Sequence, residues 1–226
     1  VYKRQVEVKL ADLSQRETLG TTSRAPRWAI AFKFPPEEKT TRLIGIDVSI
    51  GRTGRATPFA VLEPIFVGGS TVSMATLHNQ DQVAAKNVRP GDMVVVRKAG
   101  DVIPEVVGPV LDERPVASEP WTFPTTCPSC GSALERSHGD ANTYCLNRTC
   151  AARVETGISH FASRNALDIE GLGERTVRGL VEQGLVRDVG DLFALTKAQL
   201  LQLLVADTSN ETLVNNLMKA LEEARD

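Results

Sequence analysis

The only four cysteines of this 226-residue chain, Cys127, Cys130, Cys145 and Cys150, fall as C-x2-C, fourteen residues, then C-x4-C. Two short pairs at that separation can converge on one tetrahedral ion, each thiolate about 2.3 Å from the metal. Zn2+ suits four thiolates and brings no redox chemistry of its own. Each pair lies beside turn formers, Pro128 and Gly131 in the first and Asn147 in the second, that can present sulfurs on knuckles. Two disulfides, four unrelated buried thiols or a redox C-x-x-C are the alternatives. No secretory leader pattern favours disulfides. With all four ligand positions filled by protein, none is open to activate water, so the expected ion is structural.

Other residues point to phosphate. Ile169-Glu170-Gly171-Leu172-Gly173, ahead of a helical run through Val177 and Leu180, has the form of a helix-hairpin-helix. Gly171 and Gly173 would let the loop backbone pack closely while N–H groups at the next helix start face a phosphate oxygen. An ordinary interhelical turn with a glycine cap is the alternative. A second copy is expected around Thr208-Ser209-Asn210, where neither glycine is present. Arg52 in Gly51-Arg52-Thr53-Gly54-Arg55 and Lys98 in Arg97-Lys98-Ala99-Gly100-Asp101 put cations beside glycine turns. They would suit a DNA backbone, with Val102 and Ile103 pressed against sugars; solvated hairpin tips and two core aliphatics are the alternative. Lys9 and Lys33 each sit in an apolar, strand-like run, where an ammonium can neutralise a phosphate as a point charge or simply face solvent. His78 has no acidic neighbour in sequence and reads as structural.

These residues need elements to hold them. Val6 to about Lys39 carries two strand-like pieces around a polar turn at Leu19-Gly20-Thr21-Thr22-Ser23 and is too short to own a core. From Thr41 the pattern has period two, with Ile44, Ile46, Val48 and Ile50 predicted to share one face. About five strands follow to Val107, turning at Arg52–Gly54, Gly68-Gly69, Pro90-Gly91 and Ala99–Asp101, with a short helix over 81–87. That pattern predicts a small OB-type β-barrel, with an SH3-like barrel as the alternative. After the cysteine module the period becomes helical to the end. The fold class is therefore multidomain α+β: an OB-type β-barrel, a four-cysteine zinc module and an α-helical helix-hairpin-helix module. Val1 to Gln5 is expected to be a non-native leader, and the helix over 213–226 is expected to be cut while still running.

Composition narrows the partners. With 26 Lys+Arg against 28 Asp+Glu the net charge is −2, so nucleic-acid binding must come from local basic surface. No apolar run approaches the roughly 18 residues of a spanning helix, which excludes an integral helical membrane protein. A cytoplasmic monomer is expected.

These pieces, in this order, resemble the bacterial NAD-dependent DNA ligases. Thr22-Ser23-Arg24-Ala25-Pro26-Arg27-Trp28-Ala29-Ile30-Ala31-Phe32-Lys33-Phe34-Pro35 is similar to the last nucleotidyltransferase motif of that family. Gly51-Arg52-Thr53-Gly54, Ala75-Thr76-Leu77-His78-Asn79 and Lys98-Ala99-Gly100-Asp101-Val102-Ile103-Pro104 resemble its OB-fold signatures. The cysteine spacing and Leu167 to Gly173 resemble its zinc and helix-hairpin-helix modules. The resemblance implies residues 6–39 as the end of an adenylation domain, 40–117 as an OB-fold, 118–153 as a four-cysteine zinc finger and 154–226 as a helix-hairpin-helix domain. It implies NAD and Mg2+ for the full-length enzyme, nicked double-stranded DNA as partner, and no membrane. It makes Lys33 a contact to the adenylate phosphate and Lys9 the lysine of the preceding motif. Arg4, Gln5 and Glu7 depart from that preceding motif. The nucleophile motif Lys-x-Asp-Gly occurs nowhere in this sequence, so the chain alone is expected not to ligate. A non-enzymatic zinc-containing DNA-binding or repair scaffold is the competing reading.

Overall fold

The computed structural model describes residues 5–99, 103–204 and 210–225. They fall into two compact units. The first comprises the residues up to Asp47, Phe59–Leu77 and Val83–Trp121; the second comprises Val48–Pro58, His78–Gln82 and the residues from Thr122 onward.

The first unit begins with a two-stranded antiparallel ribbon, β1 (Gln5–Lys9) and β2 (Ala29–Lys33), in a five-pair register from Gln5↔Lys33 to Lys9↔Ala29. Between them lies a helix that the sequence pattern does not predict, α1 (Leu13–Leu19). Asp12 caps it by accepting the Ser14 N–H at 2.9 Å, and Gly20 ends it at φ +66°. Arg16 ties the helix back: its Nε donates to the Leu10 carbonyl at 2.6 Å and its guanidinium lies 4.5 Å from the Trp28 ring centre.

The barrel follows from the predicted strands: β3 (Glu38–Ile50), β4 (Arg55–Val67), β5 (Ser70–Thr76), β6 (Met93–Ala99) and β7 (Ile103–Pro109), with α2 (Gln80–Lys86) between β5 and β6. The order β3-β6-β7-β5-β4, closed by a β3–β4 pairing, makes a ring in which β5 and β7 run parallel. This is the OB arrangement. Leu43, Leu62, Leu77, Val94, Val96 and Val106 fill it at 2% exposure or less, each contributing about 1.5–3 kcal/mol by leaving water.

One expectation is corrected. Ile44 does not share the buried face: it is 58% exposed, while Leu43 and Ile46 both point inward. The alternation changes phase across Ile44-Gly45, where Leu43 exchanges backbone bonds with the Gly91-Asp92 turn. A two-residue repeat read from Ile44 onward cannot register that shift.

In the second unit, β8 (Leu134–Glu135) and β9 (Thr143–Cys145) form a hairpin, and β9 continues onto the start of β4 through Arg55↔Tyr144 and Ala56↔Thr143. Helices α3 (Ala151–Phe161), α4 (Glu174–Glu182), α5 (Lys197–Leu204) and α6 (Asn210–Glu223) enclose a separate core around Ile158, Leu180, Leu192, Leu200 and Leu217. No described helix is long and apolar enough to cross a membrane.

Candidate metal centre and nucleic-acid interface

The cysteine spacing places two tight turns opposite each other. In the first, Gly131 at φ +72° donates its N–H to the Cys127 carbonyl at 2.9 Å. In the second, Asn147 Oδ1 accepts the Thr149 N–H at 2.9 Å and presents Cys150 at the start of α3. The four sulfurs lie within 4.8 Å of one another. Cys127 and Cys150 approach to 3.8 Å, and Cys130 and Cys145 to 3.6 Å. Bonds of about 2.3 Å to a tetrahedral centre would separate sulfurs by about 3.8 Å, so the cage fits zinc and makes a disulfide framework unnecessary. Its electrostatics point the same way. Burial pushes the Cys145 thiol up to about 12 and raises Cys127, whereas the Ser132 hydroxyl draws Cys130 down to about 6. A divalent cation would supply the charge that lets all four ionise. The site is a structural four-thiolate zinc site.

Two residues in the joint have no sequence signal for their role. A Cβ on Gly54 would lie 2.2 Å from the Cys145 carbonyl oxygen, so only glycine lets the β3–β4 hairpin approach the zinc strand. Arg153 packs beside Gly54 and donates to the Cys145 and Asn147 carbonyls at 3.0 and 3.2 Å, satisfying the knuckle backbone. Far along the chain from its partner, Arg136 grips Asp81 through both guanidinium arms at 2.8 and 2.5 Å.

On the ribbon, directly opposite residues share a face. Gln5, Glu7 and Lys9 therefore stand with Ala29, Ala31 and Lys33, and Val6, Val8, Ile30 and Phe32 form the apolar face. Lys9 and Lys33 occupy opposite ends of the polar face, four register positions or about 13 Å apart. Lys9 pairs with Glu7 at 2.9 Å; Lys33 is exposed.

The expected DNA-facing residues divide. Arg52 is exposed on the β3–β4 turn, and Ile103 is 57% exposed at the start of β7. Val102 lies outside the described residues. Lys98 is 8% exposed, not at the surface: its Nζ donates to the Gly68 carbonyl at 3.1 Å and Ser70 Oγ at 2.6 Å. The barrel uses this cation to close its own β4–β5 turn. Gly171 holds φ +85° against Leu213 and Leu217 of α6. Gly173 is the N-cap of α4, has no side-chain capping bond, and has nothing within 4 Å of where a Cβ would stand. The α4 start beside Gly173 is thus sterically open. Thr208 and Ser209, where a second hairpin is expected, also lie outside the described residues.

Residues 5–37 match the NAD-dependent DNA ligase adenylation domain, 40–118 its OB-fold domain and 126–152 its C4 zinc finger domain. Among curated proteins, a DNA ligase of Corynebacterium aurimucosum is 50% identical over 220 residues, covering 96% of this chain and 33% of the relative. The DNA ligase of Bacillus subtilis is 47% identical over 220 residues, with coverages of 97% and 33%. That of Symbiobacterium thermophilum is 48% identical over 218 residues, with 96% and 32%. The chain spans about a third of the length of these curated relatives.

Proposed function

Because the chain belongs to the NAD-dependent DNA ligase family, matching its adenylation, OB-fold and C4 zinc finger domains in that order, we propose that it is the DNA-gripping part of such a ligase. The full-length enzyme would use a lysine to take the adenylate from NAD, releasing nicotinamide mononucleotide. It would pass the adenylate to the 5′-phosphate at a nick and join that phosphate to the 3′-hydroxyl with loss of AMP. NAD and Mg2+ belong to that whole reaction. Within this chain Lys33, and Lys9 from the other end of the same ribbon face, would neutralise the adenylate phosphate. The Lys-x-Asp-Gly nucleophile is absent from the sequence, so no step forming a covalent adenylate is assigned here.

Duplex DNA would be held by phosphate contacts at the open start of α4 behind Gly171 and Gly173, by Arg52, and by apolar contact at Ile103. Zinc is the joint that fixes β9 and α3 within the unit that carries Arg52 and α4. We place the protein in the cytoplasm as a monomer, with domains at 6–39, 40–117, 118–153 and 154–226. The observation that carries the reading is one chain bearing both the lysine-carrying adenylation match and the zinc-joined barrel hairpin. A nicked, labelled duplex titrated with the zinc-loaded chain should bind, and affinity should fall steeply between about 50 and 200 mM salt. Salt-insensitive binding or none overturns the DNA role, and a covalent adenylate formed from NAD overturns the assignment of the nucleophile elsewhere.

A further inference from the structure

Beside Arg52, the zinc module carries a groove whose other arginines have no role in the reading above. The groove, of about 230 Å3 within the second unit, is lined by Arg52, Arg148, Arg153 and Arg187 together with Val154. These arginines come from four segments: the β3–β4 turn, the second zinc knuckle, α3 and the loop after α4. The one carboxylate in the lining, Asp188, is engaged by its own loop, where Oδ1 accepts the Gly190 and Asp191 N–H groups at 2.7 and 3.2 Å. Arg52, Arg148 and Arg187 are exposed, and no side-chain bond ties them among the described residues. Arg153 is different, because its guanidinium is occupied by the Cys145 and Asn147 carbonyls.

Four like charges around one concavity repel unless an anion lies among them, and folding has not neutralised them with carboxylates. Guanidinium is the side chain whose planar fork matches two oxygens of a phosphate. Apart from the four arginines and Asp188 the lining is Val154, Gly157, Ile158 and Val189, and the groove is open, which suits a chain passing through it rather than an enclosed small molecule. We propose that this groove clamps the phosphodiester backbone of duplex DNA, so that the zinc module contacts the substrate directly as well as joining its neighbours. The inference rests on the DNA-binding reading above and adds a site distinct from the α4 start.

The test uses the whole zinc-loaded chain and a nicked duplex, with binding measured across salt. Substituting Arg52, Arg148 and Arg187 together with alanine should make the log-affinity against log-salt slope shallower by about two to three and weaken low-salt binding at least tenfold. Single variants Arg148→Ala and Arg187→Ala should each lower the slope by about one, and they answer the question if the triple variant loses zinc or fails to fold. Replacing all three with lysine should keep the slope within about one of the parent while losing part of the affinity, because charge survives and the fork does not. Arg148→Ala and Arg187→Ala variants that retain zinc and bind with the parent slope overturn the clamp but leave the DNA-binding reading, which rests on the α4 start and Arg52, standing. A parent chain that does not bind duplex at all overturns both.

Discussion

Gly54 and Cys145 meet backbone to backbone: the Cys145 N–H donates to the Gly54 carbonyl at 2.8 Å, and a Cβ on Gly54 would stand 2.2 Å from the Cys145 carbonyl oxygen. Gly54 also holds φ +86°. Gly54→Ala therefore imposes both a strained conformation, costing about 1–3 kcal/mol, and an overlap with backbone that no side-chain rotation relieves. The variant should melt earlier and release zinc more readily to a chelator; parent-like zinc retention would show that the approach is not needed.

Asp92 is fully buried, and its carboxylate accepts from Arg114 at 3.0 and 2.8 Å and from the Arg89 N–H at 2.9 Å. Arg114→Ala strands a buried charge and should cost about 3 kcal/mol in denaturant unfolding. The double change Asp92→Leu with Arg114→Leu should recover part of that loss, because both the charge and its desolvation go together. Equal losses in single and double variants would contradict this account.

Lys98 serves the barrel. Lys98→Ala leaves the Gly68 carbonyl and the Ser70 hydroxyl without their ammonium partner, so stability should fall by about 1–3 kcal/mol. The salt slope of DNA binding should stay at the parent value. A shallower slope with unchanged stability would return Lys98 to the DNA-facing surface.

The Asp81–Arg136 pair gives a pH signature. Hydrogen bonding from Arg136, aided by its charge, holds the Asp81 carboxyl below its ordinary value. A depressed carboxylate supports the fold at pH above its unfolded value, about 3.9, and that support is lost as pH falls through the lower folded value. Carboxyl NMR should place the Asp81 midpoint below about 3.9 in the parent, and Arg136→Gln should move it back up. An unmoved midpoint would contradict the pairing.

Much of the fold and of the zinc site is legible in sequence because it rests on local chemistry. The C-x2-C and C-x4-C spacing needs only knuckle-forming neighbours to converge, and the glycine turns at Gly54, Gly68 and Gly91 set the hairpin and turn positions from which the strands can be counted. What escapes depends on contacts between distant residues. Nothing near Lys98 in sequence announces that the β4–β5 turn will cover it, and Arg136 lies 55 residues from Asp81. Ile44 escapes a two-residue repeat because a strand's phase can slip at one glycine. Helix α1 escapes although Asp12 and Gly20 bracket it, because its seven residues bury none of their side chains and show no apolar stripe.

In the proposed function, a protein-ligated zinc ion holds together a surface that grips nicked DNA. Affinity for a nicked duplex, compared between the zinc-loaded chain and the same chain after verified zinc removal, tests it most directly. Zinc binding contributes on the order of 10 kcal/mol to folding a small module, so removal should collapse the Cys127–Cys150 cage and weaken DNA binding at least tenfold while the barrel core persists. Unchanged affinity and salt slope in the zinc-free chain would contradict the claim.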